Sequence, residues 1–88
     1  MTPRHRYVAG QIVILERLIP LQAKELRGAR RRFNASSRRV AASPVGPFIR
    51  QLLVDAEALS VADLDLIQSK EKLKRLRQEL GELEQSEA

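Results

Sequence analysis

The sequence contains no cysteine, no tryptophan and a single histidine among its 88 residues. Without cysteine, the chain can form neither a disulfide framework nor a thiolate zinc site. One histidine is too few for a multi-histidine metal site within one chain. A chain of this length buries only a small core by itself. We therefore expect an oligomer that needs no cofactor.

Long apolar runs are also missing. No stretch approaches the roughly 20 apolar residues that span a bilayer, and the first apolar run is interrupted by Glu16 and Arg17, unlike a secretory signal. No nucleophile with a nearby base and no phosphate-binding loop is evident, which argues against an enzyme or a small-molecule substrate. We predict an intracellular protein without a membrane partner, in the host cytoplasm if its source is viral.

The net charge of +5 hides an uneven distribution. Residues 1–50 carry eleven Lys or Arg and two acidic residues, whereas residues 51–88 carry five basic and nine acidic residues. Ten of the eleven basic residues in the first half are arginine, the side chain suited to bidentate phosphate contacts. This asymmetry indicates that one surface meets a polyanion while another meets protein or solvent.

Apolar residues recur at helical spacing along the chain, and the clearest interruption is "SPVGP", residues 43–47. We predict one all-α domain over residues 1–88, a helical hairpin with an additional C-terminal helix that dimerises into a helical bundle. Its segments are long basic helices over 4–43, a turn at 43–47, a helix or helices over 48–85 and a frayed tail at 85–88. Pro20 either kinks or breaks the first segment.

Two local signals compete with uninterrupted helices. Residues 34–37 favour turns and form a rival loop site. Ser60 followed by Asp63 resembles the cap of a new helix, preceded by a short helix whose apolar face includes Ile49 and Leu53. The predicted core consists of Ile12, Leu15, Leu26, Phe33, Leu52, Leu73 and Leu76.

The strongest functional signal is the stretch from residue 24 to residue 39, which holds seven cations against one carboxylate, Glu25. At about 100° per residue, it sorts apolar and charged residues onto different helix faces. The charged face forms a basic stripe about 21 Å long, made of Lys24, Arg27, Arg31, Asn34 and Arg38. Arg30 extends one edge, whereas Arg32 and Arg39 lie on the other side of the helix. Such a stripe fits the spaced phosphates of a nucleic-acid duplex.

The alternative for any charged run is a solvated helix face. Such faces usually pair opposite charges three or four residues apart, which only Glu25 can do here. The aromatics Tyr7, Phe33 and Phe48 provide no stacking platform for single-stranded bases. An anionic membrane would require bulky apolar residues beside the arginines. Recognition of a duplex by its backbone and shape is the interpretation that remains.

An acidic cluster and the single histidine are each better explained by a structural role than by a functional site. Asp55, Glu57, Asp63 and Asp65 have irregular spacing, which favours an acidic outer face over a metal site. His5 lies between Arg4 and Arg6, which favours a basic N-terminal arm over a catalytic base.

Two stretches resemble the small RNA-silencing suppressors of insect nodaviruses. They are "LRGARRRFNASSRRVAASP", residues 26–44, and, more weakly, "EKLKRLRQELGELE", residues 71–84, together about a third of the chain. The resemblance implies two long antiparallel helices per chain, dimerisation into a four-helix bundle, and binding along one face of double-stranded RNA. Arg30 matches a basic position of that family, whereas Gly28 and Ala35 stand at two others.

We therefore expect a homodimer that binds double-stranded RNA regardless of sequence and shields or sequesters it; the resemblance implies suppression of host RNA silencing. Arg27, Arg31 and Arg38 are assigned to phosphates, and Asn34 or Ser37 to 2′-hydroxyls. Lys24, Arg30, Arg32 and Arg39 would add long-range attraction. The alternatives are a protein-interaction module that docks its basic helix on an acidic partner, and a DNA-binding helical protein.

Overall fold

The structure, a computed structural model, describes residues 2–87 as two long helices joined by a short connection. Helix α1 spans Pro3–Ala42 and helix α2 spans Gly46–Glu87. They lie side by side as an antiparallel hairpin that measures 65 × 15 × 14 Å, and no β-strand occurs within residues 2–87. The prediction of an all-α hairpin is confirmed. The prediction of an additional C-terminal helix is wrong, because α2 continues without interruption from Gly46 to Glu87.

Helix α1 has well-formed ends and no internal break. The Thr2 hydroxyl accepts a hydrogen bond from the His5 backbone N–H at 3.1 Å, and Pro3 occupies the first turn, where its missing N–H costs nothing. At the other end, the Ser43 backbone N–H donates to the Arg39 carbonyl at 2.9 Å. Residues 34–37 are helical, so the rival loop at this position does not form.

Pro20 lies inside α1, and the helix continues past it. A proline inside a helix removes one backbone hydrogen bond and clashes with the preceding turn, at a cost of about 3 kcal/mol. Packing of the neighbouring apolar residues offsets this cost, since Leu15 is buried and Ile19 packs against the core. Of the two alternatives for Pro20, a kink or a break, the break does not occur, because α1 is continuous from Pro3 to Ala42.

The connection between the helices consists of residues 43–45. Gly46 and Pro47 were predicted to lie in the turn, but they form the first turn of α2. Proline is tolerated there because the first N–H groups of a helix have no partner within the helix. The Val45 carbonyl accepts from the Ile49 N–H at 3.0 Å, which closes this first turn.

Helix α2 contains no helix-breaking residue after Pro47 except Gly81, which costs about 1 kcal/mol at an interior position. Ser60 and Asp63 therefore do not start a new helix, and both are helical. Residues 85–87 of the predicted frayed tail are also helical, while Ala88 lies outside the described residues.

The core is a narrow seam between the two helices. Its centre contains Val8, Ile12, Leu15, Leu73 and Leu76, with Ile19, Leu80 and Leu83 packed against it. Of the predicted core, Ile12, Leu15, Leu26, Leu73 and Leu76 are buried, which confirms those residues, whereas Phe33 and Leu52 are half-buried. The predicted apolar face at the start of α2 is only partly covered, because Ile49 is 40% exposed and Leu53 is 64% exposed.

Polar contacts fix the register of the hairpin at both ends. Near the connection, the Ser36 hydroxyl donates to Asp55 Oδ2 in a buried contact, and Gln51 Nε2 donates to Asp55 Oδ1 at 3.1 Å. At the open end, Arg4 Nε donates to Glu79 Oε1 at 2.6 Å. This last hydrogen bond raises the pKa of Arg4.

Replacing Pro20 with alanine should stabilise the protein. Pro20→Ala restores a backbone hydrogen bond in the middle of α1 and removes the ring clash, so we expect the free energy of unfolding to rise by about 1–3 kcal/mol. Urea unfolding followed by circular dichroism, at matched protein concentration, measures this change. A less stable variant would show that the Pro20 ring contributes packing that the helix needs.

Replacing Ser36 with alanine should destabilise the protein. Ser36→Ala removes one hydrogen bond from the buried Asp55 carboxylate, and leaving such a group short of a partner costs about 1–3 kcal/mol. Ser37→Ala is the matched control, because Ser37 is half-buried and has no hydrogen bond from its side chain within residues 2–87. Equal unfolding free energies for the two variants, measured in urea, would contradict a stabilising role for this contact.

Candidate nucleic-acid interface

Residues 24–39, which we call the basic stretch, lie in the second half of α1. Among the predicted site residues, all are exposed except Ser37, which is half-buried; they are Lys24, Arg27, Arg30, Arg31, Asn34, Ser37 and Arg38. Because α1 is continuous from Pro3 to Ala42, these side chains are held on one rigid helix. The structure therefore brings the predicted residues together on a single surface.

The basic stripe points away from α2. In this part of α1, the residues that face α2 are Leu26, Ala29 and Ser36, which are buried, and Phe33 and Val40, which are half-buried. At 100° per residue, the centre of the stripe is turned roughly 160° from these positions. The cations are thus fully accessible to a partner that approaches the outer side of α1.

None of the stripe cations is neutralised within residues 2–87. The ion pairs of the hairpin involve Arg4, His5 and Arg77, and none of them reaches the stripe. Arg39, on another side of α1, lies 5.5 Å from the Phe48 ring centroid. Closely spaced like charges on one helix repel one another, so this surface gains from a polyanion that neutralises it.

Carboxylates occupy the other helix at the same level of the hairpin. Asp55 contacts Ser36, which places residues 55–65 of α2 beside the basic stretch. Glu57, Asp63 and Asp65 are exposed, as predicted for an acidic outer face, but Asp55 is buried and hydrogen-bonded. The hairpin therefore has a cationic edge on α1 and an anionic edge on α2, and only the first is complementary in charge to a polyanion.

One flank between the helices contains an open cavity of about 390 Å³. Its lining combines small apolar side chains with three carboxylates and comprises Gln22, Glu25, Val54, Glu57, Ala58, Val61, Ala62 and Asp65. The buried Gln22 Oε1 has no hydrogen-bond partner within residues 2–87. Because three carboxylates and no cation line this cavity, the cavity disfavours phosphate.

His5 does not belong to a basic N-terminal arm. It is buried in the first turn of α1, and its Nε2 lies 3.9 Å from Glu84 Oε1 at the end of α2. Its role is therefore in packing at the open end of the hairpin. The burial of His5 could have been predicted from the sequence, because His5 precedes Val8 by three residues and Ile12 by seven, which places it on the buried face of the helix.

Other kinds of site lack support in the part of the chain that is described. No group of three or more His, Asp or Glu side chains there could hold a metal ion. Neither helix is apolar over a length sufficient to cross a bilayer within residues 2–87. Comparison with known proteins gave no matching family model, no matching curated protein and no matching solved structure.

Proposed function

We propose that this protein is a homodimer that binds double-stranded RNA through the basic stripe, recognises its shape rather than its sequence, and shields it from processing. The observation that carries this proposal is the set of exposed cations on the outer side of α1, none of which has an ion pair within residues 2–87. Such binding would suppress RNA silencing wherever duplex RNA is the trigger.

Duplex RNA suits this surface better than single strands do. A-form RNA presents a wide, shallow minor groove edged by phosphates and 2′-hydroxyls, which proteins contact largely without reading bases. Arginine side chains match phosphates, and Asn34 can donate to or accept from a 2′-hydroxyl. Stacking on single-stranded bases would require exposed aromatic rings near the stripe, but Phe33 and Phe48 are half-buried. Tyr7 is exposed, but it lies beside Arg4 at the open end of the hairpin, far from the basic stripe.

Exposed apolar surface supports the homodimer. Within residues 2–87, twelve large apolar side chains are exposed: Tyr7, Val13, Ile14, Leu18, Leu21, Val45, Ile49, Leu53, Val54, Val61, Leu64 and Ile67. The accessible surface is 6506 Å², whereas a folded monomer of this mass exposes roughly 5,200 Å². The excess exceeds the roughly 800 Å² per partner that a stable interface buries. A second copy that covers the part of this surface beside the cavity, where Val54 and Val61 lie, leaves the basic stripe free.

Competition binding tests the RNA proposal. At about 150 mM salt, a 25-base-pair RNA duplex should bind and be displaced by unlabelled duplex RNA, but poorly by matched single-stranded RNA, duplex DNA or heparin. If about five phosphates are neutralised, log affinity should fall with log salt at a slope of about −4. Equal competition by DNA or heparin, or a slope near zero, would contradict duplex-RNA recognition and point to the DNA or acidic-protein alternatives.

A charge-matched pair of variants controls this test. Arg31→Gln with Arg38→Gln removes two stripe cations and should weaken RNA binding about 10-fold or more. Arg32→Gln with Arg39→Gln removes two cations that are also seven residues apart but lie on the side of α1 next to the cavity. Arg32 is on that side because it follows the cavity-lining Glu25 by seven residues. The second pair should retain most of the affinity. Equal losses would mean that net charge, not the stripe, governs binding.

Sedimentation tests the homodimer. The wild type should have a mass of about 20 kDa at micromolar concentration, twice the 10.0 kDa chain. Leu21 and Leu53 are 65% and 64% exposed, so Leu21→Glu with Leu53→Glu should shift the mass to that of one chain by placing charge in an apolar interface. Gln78→Glu with Gln85→Glu adds equal charge at exposed polar positions and should remain dimeric. A monomeric wild type would contradict self-association.

A further inference from the structure

A second group of cations lies on α2, outside the basic stretch. Between residues 70 and 77, α2 carries Lys70, Lys72, Lys74, Arg75 and Arg77, all of them exposed. Apart from Arg77, none of them has an ion pair within residues 2–87. Unneutralised cations are unexpected here, because this half of the chain has a net negative charge.

An ion pair shows which of these cations share a flank with the basic stretch. Arg77 Nη2 lies 3.8 Å from Glu16 Oε2, so Glu16 and Arg77 lie on the same flank of the hairpin. Lys74 and Lys70 precede Arg77 by three and seven residues, which places them on the same side of α2. Lys72 and Arg75 do not follow this spacing and point elsewhere.

The side of α1 that carries Glu16 leads into the basic stretch. Steps of four and three residues from Glu16 reach positions 20, 23, 27, 30, 34 and 37. The last four positions are Arg27, Arg30, Asn34 and Ser37. At 100° per residue, Ser37 and Arg30 lie about 60–80° from the buried face of α1, whereas Asn34 and Arg27 lie about 120–140° from it, within the basic stripe. Lys70 and Lys74 lie about a quarter turn from the buried face of α2, on the same flank. One flank therefore carries cations from both helices.

The cations of this flank form a nearly continuous series. The contacts Glu16–Arg77 and Ser36–Asp55 set the register, which places Lys74 and Lys70 at levels between Glu16 and Arg27. With a rise of about 1.5 Å per residue, the interval from Lys70 to Arg27 is roughly 7 Å along the axis. Beyond Lys70, the same side of α2 continues with Ile67 and Asp63, and at this point α1 supplies the cations instead.

We propose that Lys70 and Lys74 belong to the phosphate-binding surface, which crosses from α2 to α1 along the flank marked by Glu16 and Arg77. We call this series the interhelix ladder; it comprises Arg77, Lys74, Lys70, Arg27, Arg30, Asn34 and Ser37. It is roughly 32 Å long along the hairpin. The proposal rests on the duplex-RNA binding proposed above and extends it to residues on the other helix.

The duplex must then lie obliquely across the hairpin rather than along α1 alone. Packed helix axes are about 8–10 Å apart, and the interhelix ladder crosses this distance over its length. The carboxylates of α2 lie beside the basic stretch, whereas Lys70 and Lys74 lie beyond them toward the open end. An oblique duplex therefore contacts cations at both ends of the interhelix ladder and avoids most of the anionic edge.

Two charge-matched double variants test the interhelix ladder. Lys70→Gln with Lys74→Gln removes two ladder cations and keeps helix propensity. Lys72→Gln with Arg75→Gln removes two cations from the same segment but off the ladder, since Lys72 follows the cavity-lining Asp65 by seven residues. Affinity of the full chain for the 25-base-pair RNA duplex is measured by fluorescence anisotropy from about 50 to 300 mM salt.

The ladder variant should bind about 10-fold more weakly at 150 mM salt, and its salt slope should be shallower by about 1.5, because two phosphate contacts are lost. The control should keep the wild-type slope. Equal effects in both variants, or none in either while the wild type binds, would overturn the ladder and leave the proposed RNA binding standing. A wild type that fails to bind duplex RNA would overturn both proposals, and circular dichroism verifies that each variant is helical.

Discussion

Two helices packed side by side can bury only one strip of each, and this limit governs the whole molecule. The seam contains short runs of apolar side chains, such as Val8, Ile12 and Leu15 against Leu73 and Leu76. Every other side of both helices faces outward, whatever its chemistry. Charged residues outside the seam are solvated by water, so they do not need an ion pair. Apolar residues outside the seam stay exposed unless another molecule covers them. The same limit produces the accessible cations and the uncovered apolar surface.

The rigidity of the hairpin fixes the spacing between its charged side chains. On a flexible segment, seven cations in sixteen residues would spread apart to relieve repulsion. On a continuous helix they hold a fixed spacing, and their mutual repulsion is relieved only by counterions or by a polyanion. In the proposed complex with duplex RNA, release of condensed counterions from the nucleic acid would contribute to binding. The hairpin thus prepares a surface whose geometry is set before any partner arrives.

Helical periodicity predicted much of this arrangement. The spacing of Ile12, Leu15, Leu26, Leu73 and Leu76 identified buried positions correctly, because each faces the one strip that a hairpin can bury. Periodicity also assigned Phe33 and Leu52 to the core, but they are only half-buried. Local signals left a break at Pro20 and a loop at residues 34–37 open as alternatives, and neither forms, because packing in the seam keeps α1 intact. The contact between Ser36 and Asp55 could not be foreseen, since it depends on the register of two segments distant in the chain. The interhelix ladder depends on that register as well.

The three-residue connection makes the two ends of the hairpin unequal in chain topology. Ser36 and Asp55 are 19 residues apart, whereas Arg4 and Glu79 are 75 residues apart. Closing a loop about four times longer costs roughly 1.2 kcal/mol more in chain entropy, unless the intervening contacts have already formed. Association should therefore start at the connection and proceed toward the termini like a zipper. The terminal contacts of Arg4 and His5 form last and open first, so spontaneous separation of the helices begins at the end farthest from the basic stretch.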